Sequence, residues 1–353
     1  MPRLKRTELA LVTCSIVLSF CGIEFAARLY DHKLTRWTNF VRDAYVEMAR
    51  PKTQEHIYDP ELGWRNRPDF SEAGQHIDER GLRLAGPLPS PPRGGPILLA
   101  GDSNTFGNEV SDDETWAAYL QTRTGRPVLN AGVSAYGFDQ SVLRAEIEAK
   151  ATRPADIIVG LIAHDLPRME ASRLWGANRP YFDIEGGKAV LRNVPVPPAP
   201  LPDRPMPWPQ RILGYSYFID FMIRRVNRGA PWYGETVIAN PRGTGDRIAC
   251  LLMERLRTLQ DATGARVLVV AQYDTETWHS QKEADERRQA LGPIVACARE
   301  HGLRALDSFD AIAAYKGPGG PASLYLEHHM NGAGNRLFAE LIARTLAEAP
   351  PAR

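Results

Sequence analysis

The sequence predicts an α/β protein, a three-layer α/β/α sandwich with a mainly parallel sheet, preceded by one N-terminal transmembrane helix. From residue 97 onward, short apolar runs alternate with longer segments of helical spacing, which is typical of parallel sheets covered by helices. Before that point, one long apolar stretch lies close to the N-terminus. Apolar residues make up 43% and charged residues 24% of the 353 residues, which excludes a mainly disordered chain and a multi-span membrane protein. The net charge of +1 argues against a nucleic-acid partner.

The apolar stretch Leu9–Ala27 has the length that one helix needs to cross the hydrocarbon core of a bilayer. Glu24 alone interrupts it, and Arg3, Lys5 and Arg6 precede it. We interpret it as a signal anchor, because no small-x-small cleavage site follows cleanly; a cleaved signal peptide is the alternative. The interpretation predicts a single-pass protein of the cytoplasmic membrane with its main domain on the periplasmic or extracytoplasmic side.

The chain divides into three predicted parts. Residues 1–30 form the cytoplasmic tip and the membrane anchor. Residues 31–96 contain a juxtamembrane helix, a short hairpin and a Pro-rich extended linker from Ala85 to Pro96. Residues 97–350 form the catalytic domain, interrupted by an insert over 167–240.

Within the predicted domain, strands and helices follow one another regularly. The predicted strands are Ile97–Ala100, Val128–Leu129, Ile157–Ile162, Ala265–Ala271 and Arg304–Leu306. The predicted helices are Asp112–Thr124, one beginning near Asp139, Asp246–Ala262, Glu283–His301 and Gly332–Glu348.

The insert has a different character. Tyr181–Leu191 predicts a hairpin that turns at Gly186-Gly187, and eight prolines among the sixteen residues of Val194–Pro209 exclude regular structure there. Its aromatic residues either shape a cleft or pack a loop-rich lobe; they are Trp175, Tyr181, Phe182, Trp208 and Trp232.

Two motifs carry candidate chemistry. Ser103 directly follows the first predicted strand, where reactive groups collect in parallel α/β sheets, although a helix-capping turn would use the same residues. Near the C-terminus, His329 lies two residues after Glu327 and just before the last predicted helix. A serine nucleophile needs both an imidazole base and a carboxylate that orients the base.

Over residues 55–348 the sequence resembles the SGNH (GDSL-like) hydrolases, specifically the membrane-anchored bacterial branch related to alginate O-acetylation proteins. The resemblance rests on three blocks: Ile97 to Gly107 around Gly101-Asp102-Ser103, Leu129 to Gln140 around Gly132, and the acid-x-His-x-Asn-x-x-Gly pattern of Glu327, His329, Asn331 and Gly334. It implies that Ser103 is the nucleophile, His329 the base and Glu327 the orienting acid. The further site candidates are Asp102, Asn104 and Asn331.

The resemblance also implies an oxyanion hole made by the backbone N–H groups of Ser103 and Gly132. A tight turn needing positive φ would equally explain a glycine at 132. Where the family has a side-chain amide before its third-block aspartate, this chain has His164 before Asp165. An imidazole N–H can replace that donor, and a strand-end cap is the alternative role for His164.

No cofactor is expected. Glu327, His328 and His329 are adjacent rather than spaced for metal binding, and no glycine-rich nucleotide motif follows the first strand. Cys250 and Cys297 flank one predicted strand on neighbouring helices, and whether they pair stays open at this stage.

Together these features predict an exported serine esterase. The resemblance implies a small-molecule or glycan substrate carrying an O-acyl ester, most often acetyl, on a carbohydrate or a lipid. Two alternatives remain open: an O-acetyltransferase that modifies an envelope or extracellular polysaccharide, and a non-catalytic scaffold of the same fold with an envelope protein partner. The predicted contact with the membrane is the N-terminal helix.

Overall fold

The computed structural model describes residues 6–49, 55–88, 90–198, 206–226 and 232–348. The strands are β1 His56–Asp59, β2 Gly63–Asn66, β3 Ser71–Glu72, β4 Gln75–His76, β5 Ile97–Ala100, β6 Val128–Asn130, β7 Asp156–Leu161, β8 Ala171–Leu174, β9 Ala177–Asn178, β10 Tyr181–Glu185, β11 Lys188–Arg192, β12 Val237–Ile238, β13 Arg266–Ala271 and β14 Arg304–Asp307. The helices are α1 Arg6–Tyr30, α2 Phe40–Ala49, α3 Ser103–Phe106, α4 Trp116–Thr124, α5 Phe138–Thr152, α6 Asp165–Arg168, α7 Trp208–Leu213, α8 Tyr217–Arg225, α9 Gly245–Thr263, α10 Gln281–Glu300, α11 Phe309–Ala313 and α12 Gly332–Ala347.

A five-stranded parallel sheet in the order β14-β13-β7-β5-β6 forms the centre of the α/β fold. The first strand of this sheet in the chain, β5, lies between the second, β6, and the third, β7. The connection from β5 to β6 runs toward one edge of the sheet, and the connection from β6 to β7 runs back toward the other edge. This reversal opens a crevice at the carboxyl ends of the strands. Ser103 lies two residues beyond Gly101, at the end of β5, and so at this crevice.

Helices cover both faces of the sheet. On one face, Leu99, Ile158 and Leu268 share a core cluster with Trp116 of α4 and Phe338 of α12. On the other face, α5 packs against β5 and β7, and α9 packs against α5 and β13. Alternate residues of a strand point to opposite faces, so strands buried on both sides read as continuous apolar runs. The predicted three-layer α/β/α sandwich with a parallel sheet is confirmed.

The chain separates into two units. The unit that contains the central sheet comprises residues 53–172, 179–197 and 238–353. The other, here called the N-terminal unit, comprises residues 1–52, 173–178 and 198–237, and includes α1, α2, α7 and α8. The units cut across the predicted parts: residues 31–52 lie in the N-terminal unit, residues 53–96 lie in the unit of the central sheet, and the predicted insert contributes to both.

Most predicted elements lie within one or two residues of the observed ones. The predicted hairpin at Gly186-Gly187 is confirmed by β10 and β11, in which Glu185 pairs with Lys188. The juxtamembrane helix predicted within residues 31–96 is α2, which covers Phe40–Ala49, and β1 begins at His56. Helix α1 is long and apolar enough to cross a membrane, as the sequence predicted, although a signal sequence would have the same length and composition.

Candidate active site

Ser103 is the first residue of the short helix α3, immediately beyond the carboxyl end of β5. A side chain at Gly101 would lie 2.0 Å from Thr105 Oγ1, so only glycine allows this sharp strand-to-helix turn. The buried Asp102 carboxylate accepts hydrogen bonds from the backbone N–H of Asn104 at 2.9 Å and from its side-chain amide at 3.1 Å. Asp102 and Asn104 therefore shape the turn that presents the serine hydroxyl.

His329 lies against the serine. Its Nε2 is 2.8 Å from Ser103 Oγ, a hydrogen-bond distance between two residues far apart in the sequence. The loop before α12 holds the imidazole in place: Leu326 N–H donates to the carbonyl of His329, and the Asn331 side chain caps α12 by accepting from Ala333 and Gly334 N–H. Asn331, a predicted site candidate, thus caps α12 at the end of the loop that carries His329, here called the histidine loop (residues 325–331).

Glu109, and not Glu327, is the carboxylate beside the imidazole. Glu109 Oε1 lies 3.1 Å from His329 Nδ1, and Oε2 accepts from the backbone N–H groups of His328 and His329 at 3.2 and 3.3 Å. Glu327 is 84% exposed and its carboxylate lies 3.7 Å from His328 Nε2. The predicted Glu327 role is corrected for this reason: its side chain extends into solvent, while Glu109 reaches the histidine from the serine's own loop.

Electrostatics favour the ionised form of Glu109. Burial acts to raise the pKa of this carboxyl, but the hydrogen bonds from His329 and His328 and the attraction of the His329 ring outweigh it, so the pKa of Glu109 lies below its ordinary value of 4.5. A carboxylate that stays ionised can hold the imidazole in one orientation and stabilise it when it becomes positively charged. The sequence signal for Glu109 was its place six residues after Ser103, on the loop that leaves α3.

A buried arginine holds that loop. Arg83 donates to the carbonyls of Phe106 at 3.1 Å, of Gly107, and of Val110 at 2.6 Å, and its Nε lies 3.1 Å from the carboxylate of Asp112. Its guanidinium thus ties together the segment that leads from the serine to Glu109. Nothing in the local sequence pattern distinguishes Arg83 from a surface arginine, so its role could not be predicted from the sequence.

The two predicted oxyanion donors apart from Ser103 are engaged elsewhere. Gly132 N–H donates to the side-chain oxygen of Asn130 at 3.0 Å. A Cβ at this position would lie 2.4 Å from the backbone nitrogen of Phe106, so glycine is required by close packing against the serine helix and not by a positive φ. The predicted positive φ is therefore not observed at Gly132, and the N–H predicted as an oxyanion donor bonds Asn130 in this structure.

The ring of His164 contacts two acids and an arginine. Its Nδ1 lies 3.4 Å from Asp274, and its Nε2 lies 3.4 Å from Glu276 and 3.2 Å from Arg287 Nη2. His164 precedes α6 but makes no capping hydrogen bond through its side chain, so the strand-end cap is not observed either. The ring nitrogens are directed to this cluster in the structure, which argues against the predicted role as oxyanion donor.

Three side chains of the His164 cluster are of the kinds that bind metal ions. Ligand atoms of His164, Asp274 and Glu276 lie within 4.8 Å of one another. Arg287 contacts both carboxylates, with its Nε 3.5 Å from Asp274 and its Nη2 on Glu276. Its guanidinium supplies the positive charge that these acids require, and a divalent cation would have to compete with it.

Ser103 keeps a free backbone donor. Among the residues that the structure describes, no acceptor contacts the N–H of Ser103, which lies next to the hydroxyl that His329 contacts. An N–H in this position can stabilise negative charge that develops on a carbonyl oxygen attacked by Oγ. The arrangement is therefore chemically equipped for nucleophilic attack on an acyl group.

No protein-family model and no curated protein sequence matches this chain. Among solved structures, it is similar to a putative lipolytic protein of the G-D-S-L family from Desulfitobacterium hafniense DCB-2, with 13% identity and a TM-score of 0.37 over 71% of this chain and 99% of that one. It is also similar to Axe2, an acetylxylan esterase from Geobacillus stearothermophilus (15% identity, TM-score 0.40, 73% of this chain and 96% of that one). LAE5, an alpha/beta hydrolase enzyme from the metagenome of Lake Arreo, Spain, has 14% identity and a TM-score of 0.42 over 73% of this chain and 98% of its own. These likenesses are remote in sequence and in backbone geometry.

Proposed function

We propose that this protein is a serine esterase in which Ser103 is the nucleophile, His329 the general base and Glu109 the orienting acid. The observation that supports this function is the continuous line of contacts from Ser103 Oγ to His329 Nε2 at 2.8 Å and from His329 Nδ1 to Glu109 at 3.1 Å. A serine hydroxyl is a weak nucleophile until an adjacent base accepts its proton. The order hydroxyl, imidazole, carboxylate is the one that meets this need on several unrelated folds.

The reaction follows from these positions. Ser103 Oγ attacks the ester carbonyl while His329 Nε2 takes the hydroxyl proton, and the Ser103 N–H donates to the oxyanion. The tetrahedral intermediate collapses when the same proton passes from His329 to the leaving alcohol, which leaves Ser103 acylated. Water then attacks the acyl-serine and gives a proton to His329. When this second tetrahedral intermediate collapses, His329 returns the proton to Ser103 Oγ, and the carboxylic acid leaves. Glu109 stabilises the imidazolium at each transfer.

The proposal includes an extracytoplasmic location and an acyl ester of a carbohydrate or lipid, with acetyl as the first group to test. The apolar helix α1 supports a single membrane anchor. A disulfide between Cys250 and Cys297, with the Cα atoms 5.6 Å apart, supports folding in an oxidising compartment. Ser103 is half-buried beside His329, and access of the ester group to its hydroxyl is part of the proposal.

Labelling with a serine-reactive fluorophosphonate, followed by peptide mass spectrometry, tests the proposal. The expected result is a single adduct on Ser103, lost in Ser103→Ala together with hydrolysis of an activated acetyl ester, at unchanged melting temperature. Ser323→Ala is the matched control, because Ser323 is an exposed serine whose hydroxyl donates to the carbonyl of Gly320. Retained hydrolysis in Ser103→Ala, or an adduct elsewhere, would overturn the assignment.

A further inference from the structure

The helix pair α7–α8 of the N-terminal unit carries an apolar surface that faces solvent. Its most exposed large apolar side chains are between 45% and 71% accessible: Trp208, Ile212, Tyr215, Met222 and Val226. On α8, Ile219, Met222 and Ile223 follow the i, i+3, i+4 spacing and therefore share one side of the helix. Val226, the C-terminal cap of α8, continues this spacing at i+7. Large apolar side chains this exposed and this close together in the chain indicate an interaction site.

Helix α8 is fastened to α1. The Glu24 carboxylate of α1 accepts hydrogen bonds from Ser216 Oγ at 2.7 Å and from the backbone N–H groups of Tyr217 and Phe218 at 2.8 and 3.0 Å. The acid thus satisfies N–H groups of the first turn of α8 and meets the positive end of the helix dipole. Phe218 also contacts Phe20 of α1 edge to face.

Arg28 fixes the chain just beyond the apolar stretch. Its side chain is 1% exposed and donates to Glu24 at 2.6 Å, to the carbonyl of Tyr215 at 2.7 Å and to the carbonyl of Arg36. Its guanidinium also lies 4.2 Å from the ring centre of Trp37. The end of α1 and the start of α8 are therefore joined by a network of buried charges, and not by apolar contact alone.

The position of Glu24 along α1 indicates what covers the apolar surface of α7 and α8. Glu24 lies three residues before Ala27, the end of the apolar stretch, which is about 4.5 Å along a helix axis. Helices that lie in a membrane interface bury their apolar face roughly 5–10 Å into it. An acid in a membrane span needs a partner, and the first turn of α8 supplies one at that depth.

Charge on the same helices fits a lipid surface. Arg211 of α7 and Arg225 of α8 are exposed, and Arg225 also lines an apolar groove between α8 and α1 with Ile23, Ala27 and Tyr30. Arginine side chains beside an apolar face attract anionic headgroups and keep their charge at the level of the headgroups.

We propose that α7 and α8 form an interfacial helix pair that lies in the bilayer leaflet next to the C-terminal end of α1, with the α7–α8 apolar face in lipid. This inference rests on the proposed membrane anchorage. The helix pair gives the protein a second, shallow attachment to the membrane. A single spanning helix can rotate about its own axis, and the second attachment restricts that rotation. The occupant of the patch is the lipid bilayer.

Depth-dependent fluorescence quenching of the full chain tests the inference. Cys14 and Cys21 of α1 are first replaced by Ala; Cys250 and Cys297 stay as their disulfide. Single cysteines are then placed as Val17→Cys, Ile212→Cys, Met222→Cys and Thr35→Cys, each labelled with an environment-sensitive dye. Each protein is reconstituted in phosphatidylcholine and phosphatidylglycerol vesicles with ordinary or chain-brominated lipids, and aqueous iodide is the opposing quencher.

We expect brominated lipid to lower the emission of the Val17, Ile212 and Met222 labels by about twofold or more and to leave Thr35, in the polar turn after α1, accessible to iodide. Iodide quenching at Ile212 and Met222 with bromolipid quenching at Val17 would overturn the inference and leave the anchor standing. An unquenched Val17 would instead refute the anchor. Labels at Ile212 and Met222 shielded from both quenchers would mean that protein, such as a second copy, covers the patch, and would also overturn the lipid assignment.

Discussion

Glu109 and Ser103 lie on one loop, so a single segment positions both the nucleophile and the acid that orients its base. Because Glu109 is the acid that contacts His329 Nδ1 in the described part of the chain, we expect Glu109→Gln to lower kcat/KM on an acetyl ester by roughly 10³–10⁴-fold, the size of effect seen when a triad acid becomes an amide. The matched variant Glu327→Gln should stay within about twofold of the wild type, since exposed charges far from the chemistry contribute little. The measurement is steady-state kinetics at equal folded fraction, and the opposite ranking of the two variants would restore the assignment of Glu327.

Asp165, next to His164, lies at the buried start of α6, where acid groups crowd one another. Burial, followed by repulsion from Asp102, raises the pKa of Asp165 well above its ordinary 3.8, while Arg168 acts in the other direction. A carboxyl whose folded pKa is raised stabilises the fold below its unfolded pKa, and this stability is lost as the pH rises through the folded pKa.

As the pH rises above the ordinary aspartate pKa of 3.8, the unfolded wild type ionises Asp165 more readily than the folded protein does, so its unfolding free energy falls. We expect a smaller fall in Asp165→Asn, which has no ionisable group at this position. Urea unfolding at a series of pH values measures this. Asp246→Asn, at an exposed site on α9, is the control and should leave the pH profile unchanged. A wild-type slope preserved in Asp165→Asn would show that another group is responsible.

A site residue could be predicted from the sequence when neighbouring residues form a recognisable motif around it, and not when its role depends on contacts with residues remote in the sequence. Ser103 and His329 each follow a recognisable motif beside a strand end or a helix start, and the structure brings them together. Glu327 was chosen because it is near His329 in sequence, yet the contact is made by Glu109, which is remote in sequence and near in space. Gly132 was chosen for an oxyanion N–H or a positive φ, whereas the constraint seen in the structure is the close backbone of Phe106.

At the scale of elements, burial explains what the sequence could predict. The strands β5, β7 and β13 are almost wholly buried, so their apolar runs stand out from the helical spacing between them. The strand order could not be predicted, because each pairing joins segments that a whole helix separates. The contact of α8 with Glu24 likewise depends on a tertiary meeting of residues nearly two hundred positions apart.

The disulfide joins α9 to α10 across a sequence separation of 47 residues. Closing a loop of that length in the unfolded chain corresponds to about 4 kcal/mol of stability in the chain-entropy treatment. Cys297→Ala should therefore lower the unfolding free energy by about that amount, and dithiothreitol should lower that of the wild type to a similar value. Cys14→Ala, at an exposed cysteine of α1, is the control. A wild type that is insensitive to the reductant would contradict the pairing.

At the scale of the molecule, three separate segments of the chain form the N-terminal unit, and three others form the unit that contains the central sheet. Boundaries between such units leave weak sequence signals, because no single linker separates them. The predicted insert 167–240 was visible as a change in composition, but the sequence did not show that its hairpin β10–β11 belongs to the sheet unit while α7 and α8 belong with α1.

The proposed anchorage also makes a prediction for the whole chain. A C-terminal alkaline phosphatase fusion should be active in cells, because this reporter needs an oxidising compartment, and the fused protein should resist extraction with alkaline carbonate. The matched control carries Val17→Arg and Leu18→Arg, which place two charges in the middle of α1 at a cost of roughly 2.5–3.5 kcal/mol each for insertion. That variant should lose reporter activity and become extractable. A wild-type fusion whose phosphatase is inactive while a cytoplasmic reporter at the same position is active would place the sheet unit inside the cell, and would then leave the Cys250–Cys297 disulfide without the oxidising compartment that such bonds normally require.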